Sequence, residues 1–394
     1  MNDEWRVADD ERREPNVERY DDERRTATKD DRTAARPTFL PGDGESPNMT
    51  WRFVGANFDQ MHMNTNLEWV RDHPDAELVG VCDEEPETST GSLERAVDDL
   101  EIPDEAVYDD LDRCLEETDP DVVLGCPRNS LHAEFVERVT AFDDGIHIAI
   151  EKPLAADLAD ADRMLEATAE TDGLFALNWP VMWDPVKHEV KRLVDDGVVG
   201  DVLEVQYYGG NAGAPPEDSW FYDPEAGGGS MLDYLGYGAT FSTWFRDGDL
   251  PESVYADAYV PDDLAVDVQS STVCRYGEGL STLQTSWRML TNPWEIEPQP
   301  MKGYEIVGTE GSISTRERGC PIRVTTAEEP AGYVVDPDPL PERFENLVTY
   351  LIDRLESGGD LEGPTDPAFC REAQRIVETA RRSVDDGGAL ELIE

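Results

Sequence analysis

Between residues 51 and 150, short apolar runs alternate with amphipathic stretches. Strand-like runs fall at 51–55, 77–82, 121–124 and 146–150, and helical periodicity at 63–72, 92–100 and 133–142. Strands separated by helices of this length predict βαβ units, and so a parallel sheet covered on both faces. After about residue 176 the rhythm changes. A helix near 185–196 leads through Gly197 and Gly200 into a strand at 202–208; a loop rich in Gly, Pro and aromatics follows, then a helix near 231–245. Alternating runs at 253–260, 266–276, 280–290, 304–308, 312–316 and 321–326 succeed one another through hairpin-length links, which predicts a mostly antiparallel sheet. Helical stretches at 340–355 and 367–384 close the chain. The expected fold class is α/β: an N-terminal doubly wound domain over 48–176 and an α+β domain with an open sheet over 177–394.

Residues 1–47 break this pattern, being dense in Asp, Glu and Arg with no apolar period. They read as a solvated, disordered acidic tail. Because Met49 directly precedes the first strand-like run, a start codon assigned too far upstream explains the segment equally well.

Charge changes the picture next. The 394 residues hold 88 Asp+Glu against 33 Lys+Arg, a formal net charge of −55. Tracking a nucleic-acid backbone needs cationic side chains, so nucleic acid is excluded as a partner class. The 9 Trp, 13 Tyr and 11 Phe argue for a folded body with an acidic surface rather than a disordered acidic chain. Such a surface resembles the proteins of organisms that keep molar salt in the cytoplasm, haloarchaea among them, where the Debye length falls to about 3 Å. No apolar run approaches the roughly 20 residues that span a bilayer, and no signal-peptide core is present, so a cytoplasmic location is expected. The six cysteines form no C-x-x-C pair and are expected as free, mostly buried thiols.

Candidate chemistry begins at the first strand-to-helix turn, Val54-Gly55-Ala-Asn57-Phe58-Asp59-Gln60-Met-His62. A G-x-G-x-x-G loop would let a pyrophosphate approach the helix N-terminus, but Gly55 is the one glycine kept here. Asn57 is the mildest replacement, since Asn tolerates positive φ. Asp59 would repel a pyrophosphate unless it points away. The second strand ends in Asp83-Glu84-Glu85, which puts acid where ribose hydroxyls are bound and favours NAD over NADP. Pro127, Asn129 and His132 follow the strand at 121–124, and the strand at 146–150 runs into Glu151-Lys152-Pro153. Lys152 is one of five lysines, the others being Lys29, Lys187, Lys191 and Lys302. Further on, Gly227-Gly-Gly-Ser230-Met-Leu-Asp233-Tyr-Leu-Gly-Tyr237 places Asp233 and Tyr237 four apart, on one face of a helix. A blander reading makes Ser230 and Asp233 a capping box and Tyr237 a packed aromatic.

With these segments together, the chain from about residue 50 onward resembles the glucose-fructose oxidoreductase and inositol dehydrogenase family, Gfo/Idh/MocA. The likeness includes the turn Asp196-Gly197-Val-Val-Gly-Asp201 and the stretch Tyr304-Glu-Ile-Val-Gly-Thr-Glu-Gly311. The resemblance implies a Rossmann-type dinucleotide domain, a second domain for substrate and self-association as a homodimer or homotetramer, and hydride transfer between NAD, less readily NADP, and a sugar or polyol. It further implies Lys152, Asp233 and Tyr237 as catalytic residues. For the cofactor it implies Gly55, Asn57, Phe58, Asp83, Pro127, Asn129, His132, Glu151 and Lys152. No metal is expected. Tyrosine, with an ordinary pKa of about 10, needs a cation nearby to act as a base, and Lys152 is the candidate. The eroded glycine loop also admits a nucleotide-binding regulator, and the same fold admits an NAD-dependent glycosidase. The aromatic segment Trp220-Phe221-Tyr222 reads as a stacking wall for sugar or as core packing.

Overall fold

A computed structural model describes residues 50–86, 91–210, 215–216, 219–288, 303–316 and 321–393. The tail at 1–47, Cys320 and the start of the aromatic loop lie outside them. The first sheet is built from β1 (Trp51–Ala56), β2 (Ala76–Cys82), β3 (Val107–Tyr108), β4 (Val122–Gly125), β5 (His147–Glu151) and β6 (Phe175–Asn178). All pairings are parallel, in the order β3-β2-β1-β4-β5-β6, so strand order reverses between β1 and β4. Helices α1 (His62–Asp72), α2 (Leu93–Leu100), α3 (Leu111–Thr118), α4 (His132–Phe142) and α5 (Leu158–Thr168) connect the strands. Phe53, Val54, Val122, Val123, Ile148 and Ile150 are buried whichever face they point to, as expected for a sheet covered on both sides.

The acidic surplus has a local use. Asp110 and Asp157 cap α3 and α5 by accepting the backbone N–H groups of Arg113 and Asp160, and carboxylates at these ends also suit the helix dipole.

Beyond α6 (Pro185–Asp195) the chain enters β7 (Val202–Gly210), a π-helical turn at Met231–Leu235, and α7 (Gly236–Phe245). It then runs through β8 (Ser253–Tyr259), β9 (Gln269–Arg275), β10 (Leu280–Ser286), β11 (Gly303–Gly308), β12 (Gly311–Arg316), β13 (Ile322–Thr326) and β14 (Tyr333–Val335). Helices α8 (Leu347–Ser357) and α9 (Pro367–Asp385) precede β15 (Glu391–Leu392). The second sheet has the order β14-β13-β12-β11-β7-β10-β9-β8-β15. It is antiparallel except for β7 and β10, which run parallel because β10 returns beside β7 after the excursion through α7. Helix α9 packs on α5 and on β8, so it ties the two sheets together. Among the described residues no helix is long and apolar enough to cross a membrane. Cys82, Cys114, Cys126, Cys274 and Cys370 are free and buried.

Candidate active site

The carboxyl end of β5 and the π-helical turn meet between the two sheets. Lys152 follows β5, is 5% exposed, and places Nζ 2.8 Å from Asp233 Oδ1. Asp233 Oδ2 accepts a 3.0 Å hydrogen bond from Trp287 Nε1, at the end of β10. The carboxylate is thus held from two sides. Burial alone would lower the pKa of Lys152, but the Asp233 charge and hydrogen bond outweigh it, with the Tyr234 phenol adding, and hold the ammonium above its ordinary value. Lys152 is therefore a proton-bearing cation at neutral pH rather than a base.

Tyr237 also reaches this junction, in a different manner from the expectation. The ammonium lies over its ring, 5.2 Å from the centroid, and the ring is packed edge-on against Trp179 at 4.9 Å. Its own backbone carbonyl accepts the Tyr304 hydroxyl at 2.7 Å. Lys152, Asp233 and Tyr237 are brought together, with the Lys152 ammonium meeting the aromatic face of Tyr237.

The turn carrying Asp233 is anchored by a residue that spacing did not reveal. Asp267 Oδ2 accepts the Ser230 hydroxyl at 2.6 Å and the Met231 N–H at 2.9 Å. Ser230 forms no side-chain cap, so the capping-box reading is wrong: the hydroxyl is drawn to a carboxylate distant in sequence. Gly229, at φ +107°, lets Asp267 approach, since a Cβ there would stand 2.6 Å from Oδ1.

At the dinucleotide loop, Asn57 adopts φ +61°, the left-handed conformation that the lost glycine would have supplied. Gly55 serves helix packing: a Cβ would lie 2.6 Å from Leu67 Cδ2 on α1. Asp59 turns toward the loop after β4, accepting the Arg128 N–H at 2.9 Å, and burial raises its pKa. Gln60 Nε2 donates to the Lys152 carbonyl at 3.2 Å, and Trp220 Nε1 donates to the Asp59 carbonyl at 2.8 Å. Trp220 stacks on Phe221 at 4.1 Å, while Phe221 and Tyr222 meet Trp287 edge-on. The aromatic segment therefore links the dinucleotide loop to the tryptophan that holds Asp233.

Several expected cofactor contacts have other geometry. Phe58 is fully buried among the apolar residues of β1 and α1, so its side chain cannot touch a ligand. Glu151 is wholly buried on the side facing α1, bonded to Asn66 Nδ2 at 3.1 Å, to Asn178 Nδ2, and to His62 Nδ1 at 3.0 Å. Burial would raise its pKa, but His62, Asn66 and Lys152 together hold it below the ordinary value. These bonds fix the end of the strand. His132 has its ring nitrogens 3.1 and 3.0 Å from the carbonyl oxygens of Leu154 and Pro127, joining two loops, and burial lowers its pKa. Asn129, 2% exposed, donates to the Gly227 carbonyl at 2.8 Å and so spans the two sheets. Glu151, His132 and Asn129, which the resemblance assigns to the cofactor, each hold a backbone carbonyl or a neighbouring helix in this structure.

The edge of the sheet where strand order reverses is where a domain of this topology receives its nucleotide. A cavity of about 240 Å³ lies there, lined by Asn57, Glu84, Glu85, Pro127, Arg128 and Arg138, among others. The acids bordering it are Asp59, Glu84, Glu85 and Glu134, with Asp83 buried at the end of β2. Arg138 pairs with Glu84 and Arg128 with Glu85, each at 2.8 Å. Asp59 also lines the cavity but its Oδ2 is held by the Arg128 N–H, Asn57 supplies the left-handed turn at the same loop, and Glu84 and Glu85 are the carboxylates placed for ribose hydroxyls.

Known proteins agree with this architecture. Residues 49–178 match the model described as the oxidoreductase family with an NAD-binding Rossmann fold, and residues 188–314 match the GFO/IDH/MocA C-terminal domain. The myo-inositol 2-dehydrogenase of Thermotoga maritima is 28% identical over 156 residues, 40% of this chain and 45% of that protein. The NADP(+) D-xylose 1-dehydrogenase of Haloarcula marismortui is 30% identical over 136 residues, 33% of this chain and 36% of that protein. The chain thus matches less than half the length of these curated relatives. An oxidoreductase from Agrobacterium radiobacter, solved with NAD+, L-tartaric acid and magnesium, shares the fold with a TM-score of 0.71 at 18% identity, over 88% of this chain and 99% of that one. With both sheets matched by models of one family that together span more than half of its length, the chain belongs to the Gfo/Idh/MocA oxidoreductase family.

Proposed function

We infer that the protein is an NAD(P)-dependent dehydrogenase that interconverts a hydroxyl and a carbonyl on a sugar or polyol. The observation that carries this reading is the buried ion pair of Lys152 and Asp233, made by residues from opposite sides of the junction between the two sheets. The nicotinamide supplies or accepts the hydride when bound. A substrate oxygen that replaces part of the Asp233 contact receives a hydrogen bond from the Lys152 ammonium, which stabilises the negative charge gathering there as the C–O bond order changes. Asp233 keeps that ammonium charged, and Trp287 keeps Asp233 in place. Tyr237 bounds the site with its ring and is the candidate for proton exchange with the substrate hydroxyl.

The names of the relatives support the substrate class, since one is a myo-inositol dehydrogenase and another a D-xylose dehydrogenase. Glu84 and Glu85 at the ribose end support NAD, while their pairing with Arg138 and Arg128 keeps NADP within reach. Self-association through the second sheet and operation in a molar-salt cytoplasm belong to the same reading; light scattering and activity across KCl concentrations test them. For the central claim, Lys152→Met is assayed with myo-inositol and D-xylose by NADH absorbance. Turnover is expected to vanish while NADH binding persists; unimpaired turnover sinks the assignment.

A further inference from the structure

A second cavity, of about 370 Å³, lies on the side of β5 to which Glu151 points. That size falls within the range of small-molecule pockets. One face of α1 contributes His62, Asn66 and Trp69, and the residues from the end of β6 contribute Asn178 and Trp183. Lys152, Asp233 and Tyr237 do not line it.

The hydrogen bonds fix what its floor can offer. Asn178 Nδ2 donates to Glu151 and, at 3.2 Å, to Asn66 Oδ1. Asn66 Nδ2 donates to Glu151 Oε1 at 3.1 Å and toward Cys126 Sγ at 3.8 Å. Both amide nitrogens are thus directed inward, and the carbonyl oxygens, each with a second lone pair, remain as acceptors. Trp183 Nε1 is likewise engaged, donating to Asn178 Oδ1 at 2.8 Å. The exposed Thr65 hydroxyl at the lining both donates and accepts, so a ligand suited to this cavity exchanges hydrogen bonds as donor and acceptor and covers indole surface.

Charge narrows the class. An anion would meet neither Lys nor Arg among the lining residues. Among the described residues no cluster of His, Cys, Asp and Glu suits a metal ion. A desolvated organic cation would need a buried carboxylate facing it. Glu151 stands behind the amides and is engaged by His62, Asp184 is held by the Val186 N–H at 2.9 Å, and Glu345 is exposed at the rim. A neutral molecule with many hydroxyls and a C–H face satisfies the acceptors and the indoles together, without a charge to compensate. We propose that this cavity is a second polyol-binding site, separate from the Lys152 junction. The assignment does not depend on the catalytic reading.

The test titrates myo-inositol and D-xylose, without dinucleotide and in molar KCl, into the whole protein, followed by calorimetry and hydrogen exchange. Bound polyol is expected to protect segments 62–69 and 178–184. Thr65→Phe, at an exposed lining position, is expected to weaken binding at least tenfold with NADH binding retained. Absence of protection at both segments, protection confined to 229–237, or an unchanged Thr65→Phe isotherm overturns the proposal. So does glycine betaine binding where both polyols fail. The exchange measurement uses the unsubstituted chain, so it stands even if the variant does not fold.

Discussion

Replacing Asp233 by Asn tests the electrostatics of the junction independently of any substrate. Lys152 is 5% exposed and its ammonium has Asp233 as its ion-pair partner, so the substitution leaves a buried charge uncompensated. Breaking a buried pair in this way costs about 3–5 kcal/mol. For the roughly 346-residue unit Met49–Glu394, an unfolding entropy of about 2.1 cal/mol/K per residue converts that cost into a Tm loss of about 4–7 °C at pH 7. The pH dependence has a definite sign. In the natural chain the pKa of Lys152 is raised above 10.5, so the pair contributes fully below that value and is lost only as pH climbs through the raised pKa. In Asp233→Asn, the two largest raising influences are gone and burial is opposed only by Tyr234 and Glu151, so the folded-state pKa is expected to fall below the unfolded one. The penalty is then full at low pH and fades as pH rises toward 10.5. Calorimetric melts from pH 6 to 10 measure this, with Lys152→Met/Asp233→Asn closing a double-mutant cycle. The double variant is expected to recover most of the loss, because no charge is left stranded. An Asp233→Asn melt identical to that of the natural chain, or a double variant as unstable as the single one, would refute the argument.

Two further outcomes follow from the dinucleotide loop. Trp220→Phe keeps the stack on Phe221 but removes the hydrogen bond to the Asp59 carbonyl; it is expected to cost about 1 kcal/mol and to raise the Kd for NADH about fivefold in a fluorescence titration. Asn57→Ala forces a β-carbon residue with no compensating local hydrogen bond into φ +61°, for about 1–2 kcal/mol by urea unfolding, whereas Asn57→Gly is expected to lose nothing.

Four of the strands, β1, β2, β4 and β5, and the helices α1, α2 and α4 were legible from their apolar runs and stripes, whereas β3, two residues long, β6, α3 and α5 were not. Lys152 and Asp233 were legible because their flanking segments, Glu151-Lys152-Pro153 and the glycine run before Asp233, carry the family resemblance. What sequence could not show was where competing polar groups would be spent. Glu151 sits beside Lys152 in the same motif, yet alternation at the strand end sends the two side chains to opposite sides, one to α1 and the other to Asp233. His132 and Asn129 found carbonyl partners 5 to 98 residues away, and Ser230 found Asp267, 37 residues on. Such pairings depend on tertiary approach, which leaves no periodic trace. Trp287 and Gln60 were missed for the same reason, their roles resting on hydrogen bonds across the fold, one from Trp287 to Asp233 and two from Gln60, to Asn129 and to the Lys152 carbonyl.

The π-helical turn at Met231–Leu235 separates two quantities that an ordinary helix keeps locked together. Along the chain, Asp233 precedes Tyr237 by four residues; around the axis, their angle is set by how many residues the wide turn holds. Removing one residue from that turn, so that it relaxes to α-helical pitch, would leave the flanking turns nearly in phase but move the residues on one side of the deletion by one seat relative to α7. A natural variant shortened by one residue there would have to recruit its acid from a neighbouring position. Alignments that force this segment into ungapped register would then equate side chains that never occupy the same point in space.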